Sequence, residues 1–338
     1  MAIVAIVGGE SLIGRDLRDL IGERKLYADV RLVGTGEATA TLTEQDGEAV
    51  VITPLDEGTV RDAQLVFLAG SPDSTRKAVE IARKSGLASL FIDLTYAMED
   101  DPAARLRSPY SEPEGFAAPP EALSVIAHPA AITLAMLLKR LRDVKPIVRV
   151  MAHVFEPASE RGQEGLNELQ KQTVNLLSFQ PLPKRVFDAQ IGFAMLPSYG
   201  SEAPEPLESF ELRIEKHLAT LLAGIEGVPM PSIRLIQAPV FHGYSISLHV
   251  EFSDQPDLAK IASVLGAPEV DVRGPDVEAP TNVGIAGQGG IAVGAIAADR
   301  NAPCACWFWI VADNFRLMVE NAVAVAQSLL PGGKRNKK

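Results

Sequence analysis

This sequence has little cysteine, no long apolar run and no excess of positive charge. It contains two cysteines, Cys304 and Cys306, which are too few and too close together for a disulfide framework. No apolar stretch reaches the length that a membrane-spanning helix needs. The formal net charge is −11 over 338 residues, which argues against a surface for nucleic acid or an anionic membrane. We therefore expect neither nucleic acid nor a membrane as a partner.

The two ends of the sequence predict a location and a tail. Residues 1–7 lack the basic start and the cleavage site of a signal peptide, so we expect a cytoplasmic protein. A basic cluster at 334–338 follows Pro-Gly-Gly at 331–333, and we expect residues 331–338 to form a flexible, solvated tail. The length predicts two domains rather than one.

The first part of the chain has the pattern of a dinucleotide-binding unit. An apolar run at 2–7 leads into a glycine-containing turn at 8–14, a segment with apolar residues at helical spacing, and a second apolar run at 30–34. This order of strand, turn, helix and strand is typical of a βαβ unit. Further strands are predicted at 64–70 and 88–93, a helix at 74–84, and a long loop at 100–120. We predict a Rossmann-like NAD(P)-binding α/β domain over residues 1–130.

The character of the sequence changes after Pro146. Strands that alternate in polarity are predicted at 147–154 and 241–252, a helix at 165–177, and another strand at 304–311. This mixture predicts an α+β domain with an antiparallel or mixed sheet, which we assign to residues 131–313. The apolar helix near the end could return to the first domain, so residues 314–330 are assigned there.

The stretch at 128–133, His-Pro-Ala-Ala-Ile-Thr, resembles the Asn-Pro-Asn-Cys-Ser-Thr loop of the aspartate-semialdehyde dehydrogenase family. In that family the Cys forms the acyl-enzyme thioester, and Ala131 stands at its position. We expect a helix to begin near Thr133, so that Ala131 lies at a helix N-terminus, where a Cys pKa would be lowered. A methyl group cannot attack a carbonyl, so the resemblance implies the architecture of the enzyme without its nucleophile.

Two further blocks resemble the family and alter its substrate groups. Residues 93–99 resemble Asp-Asn-Ser-Ser-Ala-Phe-Arg, which puts Glu99 at the Arg that binds phosphate. Residues 154–156 resemble Thr-Tyr-Gln, and 159–172 resemble a block that begins Ser-Gly-Ala-Gly. This register puts Glu156 at the substrate-orienting Gln.

The most specific match in the second domain is Gln237 to Ser245, which resembles Arg-Val-Pro-Val-x-x-Gly-His-Ser. The resemblance puts Gln237 at the Arg that binds the substrate carboxylate and Tyr244 at the His that acts as general acid and base. A phenol with a pKa near 10 is poorly suited to that task at neutral pH. His242 would lie on the same face of a strand as Tyr244, although a structural histidine is the favoured interpretation.

The cofactor positions are partly kept. The family pattern Gly-x-x-Gly-x-x-Gly retains Gly8 and Gly14 but has Ser11 in the middle, which would crowd a pyrophosphate; alternatively, the two glycines only allow a tight turn and close packing. The segment after the second strand lacks the family's cation for the 2′-phosphate of NADP. Glu37 there could accept hydrogen bonds from a ribose 2′-OH or be an exposed loop residue. The candidate cofactor contacts are Gly8, Ser11, Leu12, Ile13, Gly14, Glu37, Ala69, Gly70, Ser71 and Asn314.

The resemblance covers residues 3–330 and is closest to the Usg-type paralogues, whose active sites are similarly degenerate. It implies a homodimer formed through the second domain. No cofactor is certain: NADP is disfavoured, weak NAD binding is possible, and no metal is expected. We predict a catalytically inactive or altered homologue with a binding or scaffolding role. The alternative is an oxidoreductase acting on an aldehyde or oxo group, in the NAD(P)-dependent semialdehyde dehydrogenase class of amino-acid biosynthesis, with an unusual active site. The altered positions are Ala131, Glu156, Gln237, Tyr244 and Glu99.

Overall fold

The computed structural model describes residues 3–27, 29–35, 41–45, 48–113, 116, 119 and 123–330. Glu37 and the predicted tail at 331–338 lie outside these ranges. The chain divides into two compact units, the first Met1–Ala127 with Met318–Lys338 and the second His128–Leu317. In the part of the chain that the structure describes, no helix is long and apolar enough to cross a membrane.

The first unit contains an eight-stranded sheet in the order β3-β4-β2-β1-β5-β6-β8-β7. All neighbours are parallel except β3 and β4, which are antiparallel. The predicted Rossmann-like α/β architecture is therefore confirmed. The elements are β1 (Ile3–Val7), α1 (Leu12–Glu23), β2 (Asp29–Val33), β3 (Thr41–Gln45), β4 (Glu48–Thr53), α2 (Glu57–Arg61), β5 (Leu65–Leu68), α3 (Pro72–Lys84), β6 (Leu90–Asp93), β7 (Ala104–Arg107) and β8 (Leu123–Ile126).

The central strands of this sheet explain its apolar sequence pattern. Residues 4–7 of β1 and all four residues of β5 are fully buried, as expected for parallel strands covered on both faces. Helix α1 buries Leu17, Leu20 and Ile21, which recur at helical spacing. Burying a side chain of this size contributes about 1.5–3 kcal/mol, so these residues determine which face of α1 is buried.

One prediction for this unit is wrong. The stretch at 100–120 was expected to be a loop, yet it contains strand β7, which pairs in parallel with β8. Strand β7 is a four-residue edge strand with the sequence Ala-Arg-Leu-Arg, and only Arg107 of it is buried. Such a short and mostly polar segment has too little periodicity to be recognised, and it is fixed by its pairing with β8.

The two turns at the ends of β1 and β5 pack backbone against backbone. Gly8 has a φ of +88°, and a Cβ on it would collide with the backbone of Gly70. A Cβ on Gly14 would likewise collide with the carbonyl oxygen of Gly8. Ser11 caps α1: its hydroxyl accepts from the Gly14 N–H at 2.9 Å and donates to the Ala69 carbonyl oxygen at 2.6 Å. These residues therefore hold the two turns together.

The second unit contains a six-stranded mixed sheet in the order β10-β9-β11-β14-β13-β12. The pairs β9–β10 and β12–β13 are parallel and the others antiparallel, which confirms the predicted α+β class. The elements are α4 (Pro129–Leu141), β9 (Ile147–Glu156), α5 (Gly162–Leu177), α6 (Leu207–Leu222), β10 (Ser232–Gln237), β11 (Tyr244–Phe252), α7 (Leu258–Leu265), β12 (Val270–Val272), β13 (Ile291–Ala298), β14 (Ala305–Ala312) and α8 (Asn314–Leu329), whose residues from Met318 onward belong to the first unit.

Helix α4 begins earlier than the sequence predicted. Its first residue is Pro129 and its N-cap is His128, whereas we expected a start near Thr133. Proline is favoured at the first helical position, and the Thr133 hydroxyl donates to the Pro129 carbonyl oxygen at 2.9 Å inside the helix rather than capping it. Ala131 is consequently the third helical residue and still lies in the first turn.

The packing of the two turns gives a stability prediction with a control on the same helix. Gly14→Ala should lower the stability by about 1–3 kcal/mol, because its methyl group overpacks the turn. Gly22→Ala places its methyl group where no atom lies within 4 Å, so it should raise stability by about 0.5–1 kcal/mol through helix propensity. Urea unfolding followed by circular dichroism measures both. Equal effects of the two substitutions would contradict the packing described here.

Candidate active site

Three of the predicted site residues come together where strands of the second unit begin and end. Glu156 and Gln237 are the last residues of β9 and β10 and are paired in register. Tyr244 is the first residue of β11, which pairs with β9 on its other side. All three side chains are fully buried. Ala131, also fully buried, lies in α4 three residues after His128, whose ring contacts Tyr244.

The side chain of Gln237 is committed to the protein itself. Its amide nitrogen donates to the backbone oxygens of Glu156 at 2.9 Å and Ala238 at 3.0 Å. Its amide oxygen accepts from the Tyr199 hydroxyl at 2.6 Å. A primary amide has two hydrogens to donate, so Gln237 has no donor left for a substrate carboxylate.

A row of hydrogen bonds joins His128, Tyr244 and Glu156. The His128 Nδ1 accepts from the Ala130 N–H at 3.3 Å, so in the neutral ring Nε2 carries the proton. Nε2 lies 3.3 Å from the Tyr244 oxygen, and the Tyr244 hydroxyl donates to Glu156 Oε1 at 3.4 Å. Tyr244 therefore accepts from the imidazole and donates to a carboxylate.

The cluster contains two further charged residues, which no sequence motif indicated. Glu160 and Arg161 lie in the 3-10 turn Ala158–Arg161 between β9 and α5. The Arg161 guanidinium pairs with Glu156 Oε2 at 2.7 Å and lies over the ring of Phe210. A signal for them was present, because the block resembling Ser-Gly-Ala-Gly reads Ser-Glu-Arg-Gly here. Two charged side chains at positions where the family has small residues need either charged partners or additional space.

Glu160 connects the cluster to Asn314. One carboxylate oxygen accepts from the Asn314 amide at 2.8 Å, and the other lies 3.7 Å from His128 Nε2. The amide oxygen of Asn314 accepts from the Gly243 N–H at 3.2 Å. Asn314 was predicted as a cofactor contact, and the structure places it in this network of the second unit.

Burial sets the protonation states of the cluster. Burial raises the pKa of Glu160 to about 7, and the neighbouring Glu156 carboxylate contributes in the same direction. Burial also raises the pKa of Glu156, against the opposing effect of Arg161. Burial lowers the pKa of His128 well below its usual value, with His217 as the next contributor. At neutral pH His128 is therefore neutral, and Glu160 keeps its proton to a higher pH than an exposed carboxyl does.

His128, Glu156 and Glu160 form a group whose potential donor atoms lie within 4.8 Å of one another, a spacing at which a metal ion could be held. The hydrogen bonds argue against that use. The bond from Ala130 to Nδ1 leaves the proton on Nε2, and a ligand nitrogen must be free of its proton. Glu156 is already paired with Arg161. The donor chemistry favours a hydrogen-bond network at this place.

The two cysteines do not supply a relocated nucleophile. Cys306 lies in β14 and is fully buried, and burial raises the pKa of its thiol to about 11. A thiol with such a pKa is almost entirely protonated at neutral pH, and the thiolate is the reactive form. Cys304 precedes the strand and is half-buried.

His242 does not stand beside Tyr244 as predicted. Strand β11 begins at Tyr244, and Gly243 has a φ of +83°, so the alternation of a strand does not extend back to His242. Its ring packs edge-on against Phe315 with centroids 5.7 Å apart. The left-handed residue between the two could not be foreseen from spacing alone.

In the first unit the predicted cofactor residues form the two packed turns. Gly8, Ser11, Leu12, Ile13 and Gly14 lie at the turn into α1, and Ala69, Gly70 and Ser71 at the turn into α3. Ser71 is the N-cap of α3 and exchanges hydrogen bonds with Ser74. Glu99 lies in the turn that follows β6 and is partly buried.

Glu10, which no sequence motif indicated, reaches from the first turn to the end of β2. Its Oε1 accepts from the Thr35 N–H at 2.9 Å and from the Thr35 hydroxyl at 2.7 Å. Residues 34–40 contain neither Lys nor Arg. A 2′-phosphate at the end of β2 would meet this carboxylate and lack a guanidinium or ammonium partner in that segment, so the residues present do not fit the NADP that the resemblance implies.

The pKa of Glu160 gives a prediction about stability and pH. Its folded-state pKa of about 7 exceeds the value near 4.5 of an unfolded chain. The folded state therefore binds the proton more tightly, and stability should fall as pH rises from about 5 to 8. Glu160→Gln should flatten this fall, and the exposed Glu23→Gln should not. Urea midpoints across that pH range measure it; an unchanged slope in Glu160→Gln would contradict the assignment.

The second unit matches a family described as semialdehyde dehydrogenase, dimerisation domain, over residues 138–317. A USG-1 protein homolog from Pseudomonas aeruginosa is 31% identical over 334 residues, covering 97% of each chain. An aspartate-semialdehyde dehydrogenase from Rickettsia bellii is 24% identical over 339 residues, again covering 97% of each. The similarity therefore spans both units.

Solved structures give the same result. A probable aspartate-semialdehyde dehydrogenase from Pseudomonas aeruginosa has a TM-score of 0.86 and 28% identity, and the match covers 98% of this chain and 99% of that one. Aspartate semialdehyde dehydrogenase II from Vibrio cholerae, at 22% identity and a TM-score of 0.82, shares the fold. The matched domain, the full-length relatives and the fold agree, and the chain belongs to the aspartate-semialdehyde dehydrogenase family, with USG-1 homologues among its relatives.

Proposed function

We propose that this protein is a dimeric binding member of its family that does not carry out thioester dehydrogenase chemistry. The observation that carries the proposal is Ala131 in the first turn of α4, at the position where the family resemblance requires the nucleophile. Without a nucleophile no covalent acyl intermediate can form. The two cysteines offer no replacement, since the pKa of Cys306 is raised and Cys304 precedes Ala305, at the end of β14 opposite to Ala312, which pairs with Tyr244.

The side chains of the cluster that includes His128, the N-cap of α4, support this proposal because they bind one another. Gln237 has used both of its amide hydrogens. Tyr244 donates to Glu156, which is paired with Arg161. Loss of a general base alone costs about 10²–10⁴-fold in rate, and a substrate would in addition have to break buried hydrogen bonds to gain partners.

A second candidate function is a simple NAD(P)-linked reduction of an aldehyde or oxo group. The row from His128 through Tyr244 to Glu156 favours it, because Tyr244 could donate a proton whose replacement would come from the imidazole. Such a reaction needs no cysteine. It does need the Tyr244 hydroxyl, which makes the two functions separable by one substitution.

The activity test uses aspartate semialdehyde, phosphate and NAD or NADP, with cofactor absorbance as the readout. Wild-type protein should show no reduction above background, and Ala131→Cys should not restore turnover, because Gln237 and Tyr244 remain. Residues that act as one catalytic unit are strongly non-additive, so recovery should need at least Ala131→Cys, Gln237→Arg and Tyr244→His together. Robust wild-type activity would overturn the proposal. Oxidation of NADH or NADPH by an aldehyde panel, abolished in Tyr244→Phe, would establish the second function instead.

The proposed dimer is supported by apolar side chains exposed on the second unit. They lie at the end of α5 and in the segment 191–195, which packs on α5 through hydrogen bonds from Ile191 and Gly192 to Gln172. Phe179 is 96% exposed and Phe193 66% exposed. Both also have positive φ, 54° and 62°, a strained conformation for a bulky residue. We therefore expect the partner subunit to pack against these exposed apolar side chains.

Sedimentation at micromolar concentration should give about twice the chain mass of 36.1 kDa, as expected for an isologous pair. Phe193→Asp should shift the protein toward monomer, because it places a charge in the apolar surface. Val51→Asp is the control, since Val51 is an exposed apolar residue of the first unit. A wild-type monomer would refute the dimer. A dimer unaffected by Phe193→Asp would show that the interface does not include Phe193.

A further inference from the structure

The carboxylate of Glu10 has one oxygen that the fold does not use. Oε1 accepts two hydrogen bonds from Thr35, which hold the carboxylate at the end of β2. Oε2 is buried and has no hydrogen-bond partner among the residues that the structure describes. Leaving a buried polar atom unpaired costs free energy. A donor from outside the described residues would therefore stabilise Oε2.

The position of Glu10, in the turn between β1 and α1, indicates which class of donor would fit. The sheet order runs from β1 to β2 on one side and from β1 to β5 on the other. In such sheets ligands bind at the carboxyl ends of the strands where the order reverses, and an acidic residue after the second strand accepts from the ribose of a dinucleotide. Strand β2 ends at Val33 and is followed by Gly34 and Thr35. Glu10 brings a carboxylate to this place from the preceding turn.

We propose that Glu10 is the residue that binds the 2′-hydroxyl of an adenosine ribose and excludes a 2′-phosphate. A hydroxyl donates one hydrogen bond, which Oε2 is free to accept. A phosphate brings about two negative charges at neutral pH and no donor, and residues 34–40 offer no cation to balance them. Glu10 then has the role that the sequence left open for Glu37.

The proposal goes beyond the function proposed above, because it concerns the first unit and a nucleotide rather than the chemistry at Ala131. Protein that binds no nucleotide and has no dehydrogenase activity would overturn the role of Glu10 alone. Protein that binds adenosine nucleotides and is an active dehydrogenase would overturn the proposed function alone.

The test is calorimetric titration of the full chain with ADP-ribose and with 2′-phospho-ADP-ribose, which differ at the 2′ position only. Wild-type protein should bind ADP-ribose at least about tenfold more tightly, the usual contribution of a hydrogen bond to a charged group. Glu10→Gln should weaken ADP-ribose binding by about tenfold and reduce the discrimination. Glu23→Gln, the control at the other end of α1, removes the same charge and should change neither affinity.

A second variant guards against a folding defect in Glu10→Gln. Thr35→Val keeps the carboxylate and the backbone donor but removes the hydroxyl that fixes Glu10, so it should reduce discrimination by a smaller factor. Equal wild-type affinities for the two ligands would overturn the proposal. So would discrimination that survives both substitutions and disappears in Glu37→Gln, or the absence of measurable binding of either ligand.

Discussion

The buried ion pair between Arg161 and Glu156 is the interaction on which the polar cluster of the second unit depends. Removing two charges from water costs several kcal/mol per ion, and a buried pair persists only where further hydrogen bonds complete it. Here Tyr244 donates to one carboxylate oxygen and Tyr199 lies 3.4 Å from the other. Removing one partner of such a pair typically costs about 3–5 kcal/mol. The side chains of this cluster therefore hold one another in place.

The differences from the family at Glu156, Gln237 and Arg161 are coupled rather than independent. A Glu at position 156, where the family has a neutral Gln, requires a cation that the family does not need there. Gln237 stands where the family has an Arg, and Arg161 stands where it has a small residue. Relative to the family, the positive charge lies in the turn before α5 rather than at the end of β10. A substrate carboxylate would meet an amide whose hydrogens are already donated and a guanidinium that is already paired.

The sequence predicted the parts of this protein that depend on local pattern. The apolar strands and glycine turns predicted the first unit, and the resemblance to the family selected Glu156, Gln237 and Tyr244, which the structure places in one cluster. Glu160 and Arg161 were missed because charged residues in a turn are usually solvated, and only the neighbouring carboxylate and aromatic ring show why these two are buried. The start of α4 was missed because Thr133 has the composition of a cap but bonds inside the helix. The burial of Glu160 and Arg161 depends on tertiary contacts, and the start of α4 involves a hydrogen bond inside the helix; residue spacing reveals neither.

The first unit shows why a retained motif and a retained function need separate evidence. Gly8 and Gly14 are required by collisions with the backbone around them, and the Ser11 hydroxyl is used at both ends by the fold. These residues would be kept whether or not a nucleotide binds. Glu10 differs, because one of its carboxylate oxygens is buried without a partner among the described residues, and folding alone gains nothing from that atom. An unsatisfied acceptor at the strand end of a doubly wound sheet is thus stronger evidence for a ligand than the glycine pattern beside it.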